Sequence, residues 1–235
     1  MALVFFGLVS STAHGQRLGR CTRGRLVDSR KLPQRGKGFR IPETWLKRGL
    51  SFGTPGLINL IAKVARRVRG ERPGSTLYVA DLSYPRGGPT AWHRTHREGR
   101  DVDLIFYALD RDGRPAPPPS QMIPYDADGF SPDGQFLIDL ARNWSLVRAL
   151  VQDPRVEKIF VARWVEDLLL EWARTHRQPS ALLAKAAALL ATPGAVEPHD
   201  DHFHVRVACK PTRSVRRTTA RSAPGTRREP ARPAR

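Results

Sequence analysis

Short β-branched runs and amphipathic helical stretches alternate along this chain without the regular strand–helix–strand spacing that builds a parallel sheet. That irregular alternation restricts the fold more than any other feature. It predicts an α+β architecture, a single domain with a mostly antiparallel sheet flanked by helices. The clearest helix is 55–68, where Leu57, Leu60, Ile61, Val64 and Val68 recur at helical spacing and Lys63, Arg66 and Arg67 face outward. Residues 131–151 carry a second stripe of Phe136, Leu137, Leu140, Trp144, Val147 and Leu150, and 164–174 and 180–191 read as two more helices. Strands are expected at 76–82 (TLYVADL), 101–109 (DVDLIFYAL), 156–161 and 202–208. The Pro- and Gly-rich stretch 110–120 is expected to lack regular structure.

The two ends differ from this middle. Residues 1–11, MALVFFGLVSS, are about as apolar and as long as the core of a secretory leader but lack a preceding Lys or Arg. They read as a truncated or atypical export signal within a flexible N-terminus, 1–20, or else as a buried first strand; the first reading predicts a periplasmic or otherwise exported protein. Residues 12–42 are rich in Gly, Arg and Lys and read as extended chain and turns. At the other end, 210–235 holds one Lys and eight Arg against a single acid, Glu229, and is interrupted by Pro211, Pro224, Pro230 and Pro233. Such a tail is expected to be disordered and to serve as a handle for a polyanion. It accounts for less than half of the formal charge of +18, so the remainder of the chain is itself basic. No apolar run reaches the length of a transmembrane helix. Cys21 and Cys209 are too far apart for a metal knuckle, and are either two thiols or one long-range disulfide tying the N-terminal segment to the last strand.

The residues that carry chemistry are grouped. Five of the seven histidines fall in two clusters, His93 and His96 in WHRTHREGRDVD, and His199, His202 and His204 in HDDHFHV. Strand alternation puts His202 and His204 on one face and turns Phe203 and Val205 toward a core. Gly99 permits a turn between His96 and Asp103, whose carboxylate opens the apolar strand. Two imidazoles and one carboxylate are what a borderline cation such as zinc takes when it keeps a position open for water. Spacing alone leaves the set of three open, because His93 can pair with His96 and Asp101 shares a strand face with Asp103. Arg94, Arg97, Arg100 and Arg206 lie nearby in sequence, either as solvated charges or as attractors of an anionic substrate. There is no G-x-S-x-G elbow, Walker A loop or dinucleotide fingerprint. A basic nucleic-acid binder is the rival from another class, but no RNP motif, zinc finger or aromatic-interleaved basic strand supports nucleic acid as the primary partner.

His96-x-x-Gly99-x-x-x-Asp103, followed by His202-x-His204, resembles the signature of the zinc peptidases that include lysostaphin-type enzymes, D-alanyl-D-alanine peptidases and murein endopeptidases. His93 three before His96, His199 three before His202, and the flanking GGPTAWH, GRDVD and HFHVR resemble the penicillin-insensitive murein endopeptidases in particular. The similarity extends over 21–209 and implies a zinc peptidase domain there, with the zinc site at the sheet. By position, it implies that His96, Asp103 and His204 hold Zn²⁺ and that His202 stabilises the tetrahedral oxyanion. His199, where the D-alanyl-D-alanine peptidases carry a glutamate, becomes the candidate general base, with Glu98, Glu197, Asp200 and Asp201 as competing carboxylates. His93, Arg94 and Arg206 are the expected substrate contacts. The implied substrate is peptidoglycan, with the D-alanyl to diaminopimelyl cross-link as scissile bond; removal of a terminal D-amino acid by a carboxypeptidase is the alternative. Two features depart from the resemblance: there are only two cysteines, and the arginines make the metal loop unusually basic.

Overall fold

The structure, a computed structural model, describes residues 24–117, 121–194 and 198–209. Among these the chain runs β1 (Arg30–Lys31), β2 (Arg35–Gly36), β3 (Phe39–Arg40), α1 (Glu43–Leu46), β4 (Phe52–Gly53), α2 (Pro55–Glu71), β5 (Leu77–Tyr78) and β6 (Asp101–Ile105). It continues through β7 (Ala108–Leu109), β8 (Pro115–Ala116), β9 (Leu137–Ile138), α3 (Leu140–Val151), β10 (Val156–Phe160), α4 (Arg163–Thr175), α5 (Ser180–Leu189), β11 (Leu190–Ala191) and β12 (His202–Val207).

Local chemistry sets the helix starts. The Thr54 hydroxyl accepts a hydrogen bond from the Leu57 amide at 3.3 Å, and Pro55, with no N–H to leave unpaired, opens α2. The buried face of α2 is Leu57, Leu60, Ile61, Val64, Ala65 and Val68, as the spacing predicts. Helix α3 starts at Leu140 rather than near 131. Asp139 caps it by accepting from the Arg142 amide at 2.9 Å, while Gly134 N donates to Ser131 O at 2.8 Å and closes a turn before it. Phe136 therefore precedes the helix and Leu137 joins β9.

The sheet that matters for function has the order β11-β10-β12-β6, with β12 antiparallel to both of its neighbours and β10 parallel to β11. Every residue of β6 is buried. On β12, Phe203 and Val205 are fully buried, each stabilising the core by about 1.5–3 kcal/mol relative to exposure. Antiparallel pairing between β12 and its two neighbours agrees with expectation, but the remaining strands form three further small sheets, β1-β4, β2-β3-β5 and β8-β7-β9. The expected strand 101–109 is broken because Asn143, fully buried on α3, captures the backbone of Tyr107. Its Nδ2 donates to Tyr107 O at 2.7 Å and its Oδ1 accepts from Tyr107 N at 3.1 Å. The chain then leaves the four-stranded sheet and pairs β7 with β8 and β9. The stretch 110–120 consequently holds a two-residue strand. The expected strand 76–82 is regular only over Leu77–Tyr78 and then meets β6 through a Val79–Leu104 bridge.

Buried side chains of α2, α3, α4 and the sheet join in one hydrophobic cluster that includes Trp144, Leu60, Leu146 and Phe203. Among the described residues no helix is long and apolar enough to cross a membrane. Cys209 is disulfide-bonded. Cys21, the export signal read in 1–20 and the basic tail read in 210–235 lie outside the described residues.

Candidate metal centre

Strand register builds half of the centre. The β12–β6 ladder sets His204 opposite Asp103, Arg206 opposite Asp101 and His202 opposite Ile105. Directly opposed residues share a face, with Cβ atoms about 4.5–5.5 Å apart. The other half arrives on the loop between β5 and β6, which is pinned where the Ser83 hydroxyl donates to His96 O at 2.8 Å. Gly87 makes a close approach there: with φ at +70°, a Cβ on it would lie 2.2 Å from Arg97 O.

Hydrogen bonds then settle which ring atoms face inward. A carbonyl only accepts, so His96 Nδ1 donates to Leu82 O at 2.6 Å and leaves Nε2 as the lone-pair atom. Similarly, His204 Nε2 lies 3.0 Å from Asp101 Oδ1, which turns Nδ1 inward. His96 Nε2 and His204 Nδ1 are 3.3 Å apart, and each is 3.2 Å from Asp103 Oδ1. His202 Nε2 reaches the same oxygen at 3.3 Å. Asp103 is fully buried, yet neither of its oxygens has an aligned hydrogen-bond partner. Imidazole nitrogens converging on a buried carboxylate that has no aligned hydrogen-bond donor fit a divalent cation. Two sets of three donors, His93 with His96 and Asp103, and His199 with His202 and His204, each lie within 4.8 Å of one another.

The charges are strongly coupled. Burial opposes ionisation of Asp103, but the imidazoles of His96 and His202 outweigh it and hold the carboxyl well below the usual range. Asp101 is likewise lowered against its burial by His204 and Arg206. Burial also disfavours charged imidazoles, yet Asp103 and Asp201 lift His202 to about 10, and Asp101 and Asp103 lift His204 to about 9.

A cleft of about 580 Å³ opens over the cluster and is lined by Trp92, His93, Arg94, His199, His202 and Arg206 among others. His199 has a left-handed backbone, φ +53°, which a non-glycine residue keeps only where its surroundings hold it, and its carbonyl accepts from Ala162 N at 3.0 Å. Its ring centroid is 4.9 Å from that of His202 and 5.4 Å from that of His204. Arg94 is exposed in the cleft wall, whereas Arg206 Nε donates to Asp101 Oδ1 at 2.7 Å. Arg100 is structural, bonded to Glu98 and to the Val207 carbonyl. Glu98 is occupied by Arg100 and the Gly24 amide, and Asp201 by His202 Nδ1. Asp200 lines the cleft with its carboxyl raised by burial, and Glu197 lies outside the described residues.

Residues 17–227 match the family model described as penicillin-insensitive murein endopeptidase. The chain belongs to that family. A penicillin-insensitive murein endopeptidase of Haemophilus influenzae is 26% identical over 209 residues, covering 82% of this chain and 63% of the relative. The chain thus spans just under two thirds of that relative's length. Within this murein endopeptidase framework, Asp81 is a residue that motif spacing did not single out. It is 1% exposed and accepts from His93 Nε2 at 2.9 Å. Its signal in the sequence was a lone acid at the end of an apolar run, TLYVADL.

Proposed function

We propose that this chain is a zinc-dependent hydrolase of peptidoglycan that cuts amide bonds in stem-peptide cross-links, the D-alanyl to diaminopimelyl bond first among them. The observation that carries the reading is the convergence of three imidazole nitrogens within 3.3 Å of one buried Asp103 oxygen beneath an open cleft. His96, Asp103 and His204 would hold the cation, which when bound polarises a carbonyl and acidifies a water. The remaining work falls to this chain's own side chains.

His202 is held between Asp201 at Nδ1 and Asp103 at Nε2. The Asp201 carboxylate at Nδ1 favours the protonated ring, and Nε2, which faces the cluster without an aligned acceptor, would then be the donor to an oxygen that gains negative charge. His199, beside it in the cleft, is the proposed proton acceptor, since imidazole exchanges protons near neutral pH. His93, Arg94 and Arg206 would draw and seat the carboxylates of a stem peptide. Family membership supports the substrate class. Such a substrate would call for a periplasmic or otherwise exported protein, and the basic composition of 210–235 would suit anionic wall polymers.

Cross-linked and linear muropeptides offered separately test the proposal. Monomers released from dimers, with activity lost on chelation and restored by zinc, is the expected result. Release of free D-alanine instead would make the protein a carboxypeptidase, and no turnover of either substrate after zinc addition would overturn the reading.

A further inference from the structure

Asp81 belongs to neither set of convergent donors, yet its burial needs a reason. The carboxylate is 1% exposed and Oδ1 has no hydrogen-bond partner. A neutral side chain of similar volume would cost the fold less than a buried carboxylate satisfied on one side only. Oδ2 takes the whole load, accepting from His93 Nε2 at 2.9 Å and from Arg48 Nη1 at 2.7 Å.

The backbone of Asp81 is tied to the centre itself. Asp103 N donates to Asp81 O at 3.0 Å, and Ala80 N donates to Asp103 O at 2.9 Å. The next residue, Leu82, supplies the carbonyl that orients His96. One short segment thus carries both the acceptor for His96 and the carboxylate for His93. His93 needs such a hold, because it sits on a loop whose local bonds, to Thr90, fix its backbone and not its ring. Its ring stacks on His96 with centroids 4.1 Å apart and planes 22° apart, and Nε2 is 3.6 Å from Asp103 Oδ2. Arg48 closes the arrangement from outside: its guanidinium lies over the Trp92 ring at 5.2 Å, at the rim of the same cleft.

We propose that Asp81 is a positioning residue, which holds the His93 imidazole in its stacked orientation against His96 at the cleft wall, with Arg48 fixing the same carboxylate oxygen. An ionised carboxylate is acceptor-only, so the contact commits the His93 hydrogen to Nε2 and fixes both the tautomer and the plane of the ring. The activity arm of the test rests on the murein-hydrolase reading above; the spectroscopic arm does not.

The spectroscopic arm is ¹⁵N NMR of the histidine rings in the full chain, comparing wild type with Asp81→Asn and Arg48→Met. His93 signals are expected to shift in both variants, more in Asp81→Asn, while those of the remote His176 stay in place. His93 signals that coincide with wild type in both variants would overturn the proposal. In the activity arm, Asp81→Asn is expected to lower kcat/KM for muropeptide cleavage about tenfold or more, but by less than about twofold in a His93→Ala background. Equal losses in the two backgrounds would assign Asp81 to general stability and remove its link to His93. Should Asp81→Asn fail to fold, Arg48→Met carries both readouts, because that side chain is about a third exposed. Wild type that cleaves no murein would count against the functional reading alone, leaving the ring signals to decide the role of Asp81.

Discussion

His204 stands directly across the β12–β6 ladder from Asp103, and its Nδ1 lies 3.2 Å from Asp103 Oδ1. This pairing is a matter of register, since a slip of one residue would turn His204 toward the core and put Phe203 in its place. Asp101 and Arg206 repeat the relationship one pleat away and brace His204 from behind.

Removing the shared carboxylate should empty the centre. Purified wild type is expected to carry about one zinc per chain by elemental analysis, and Asp103→Asn and His204→Ala only traces. His176→Ala, on the far α4 terminus, should keep the wild-type content. Full zinc content in Asp103→Asn would show that the metal, if any, sits elsewhere.

Asp101 touches His204 Nε2 rather than the converging donors, so its effect on a bound cation would pass through that ring. Asp101→Asn should leave the protein folded but weaken zinc binding about 10–100-fold, as loss of an outer partner of a metal-bound histidine commonly does. Competition with a chromophoric chelator measures this. An unchanged affinity would mean that the ladder alone orients His204.

A separate carboxylate, Asp153, links α2 to the turn after α3. Arg155 engages both of its oxygens, at 2.8 and 2.7 Å, and Lys63 adds a bond at 3.0 Å. The hydrogen bonds from Arg155, with the further help of Lys63 and against burial, push its carboxyl far below the usual carboxylate range. A depressed folded pKa adds stability that is fully present above the unfolded value, about pH 4, and lost as pH falls through the folded value. Asp153→Asn should therefore cost roughly 1–3 kcal/mol at pH 7 in urea unfolding, with the gap from wild type shrinking only below about pH 4. A gap that stays constant from pH 7 down to strong acid would contradict the assignment.

Asn143 breaks the long apolar run 101–109 into two strands. Its Nδ2 also donates to Asp139 O at 2.9 Å; in Asn143→Ala the carbonyls of Tyr107 and Asp139 keep the amides of Asp139 and Asn143, but the Tyr107 amide loses its acceptor. The expected cost is about 1–3 kcal/mol, read from chemical denaturation. A loss under about 0.5 kcal/mol would mean that water or a shifted backbone takes over.

Much of this arrangement was legible along the chain. The stripes of α2 and α4 were readable because an amphipathic helix advertises its buried face every three or four residues. The alternation in HFHVRV was enough to separate the histidines of β12 from its core residues, and the clustering of His93, His96, Asp103, His199, His202 and His204 held in space. Asp139, by contrast, is an ordinary acid in sequence and a helix cap in the fold, so α3 began later than its apolar stripe suggested. Asn143 gave no local sign that it would reach 36 residues back to Tyr107.

What the sequence by itself determined is the inventory: which segments bury a face, which side chains can bind a cation, and which family the motifs resemble. Those are local properties, written in spacing and residue type. Only the tertiary structure decided that Asp101 braces His204 while Asp103 meets it, that Leu82 O and Asp81 orient His96 and His93, and that Glu98 is occupied by the Gly24 amide. Each of those choices depends on a polar contact between residues well separated in the chain, and such contacts exist only once the ladder register and the loop path have brought their atoms within about 3 Å.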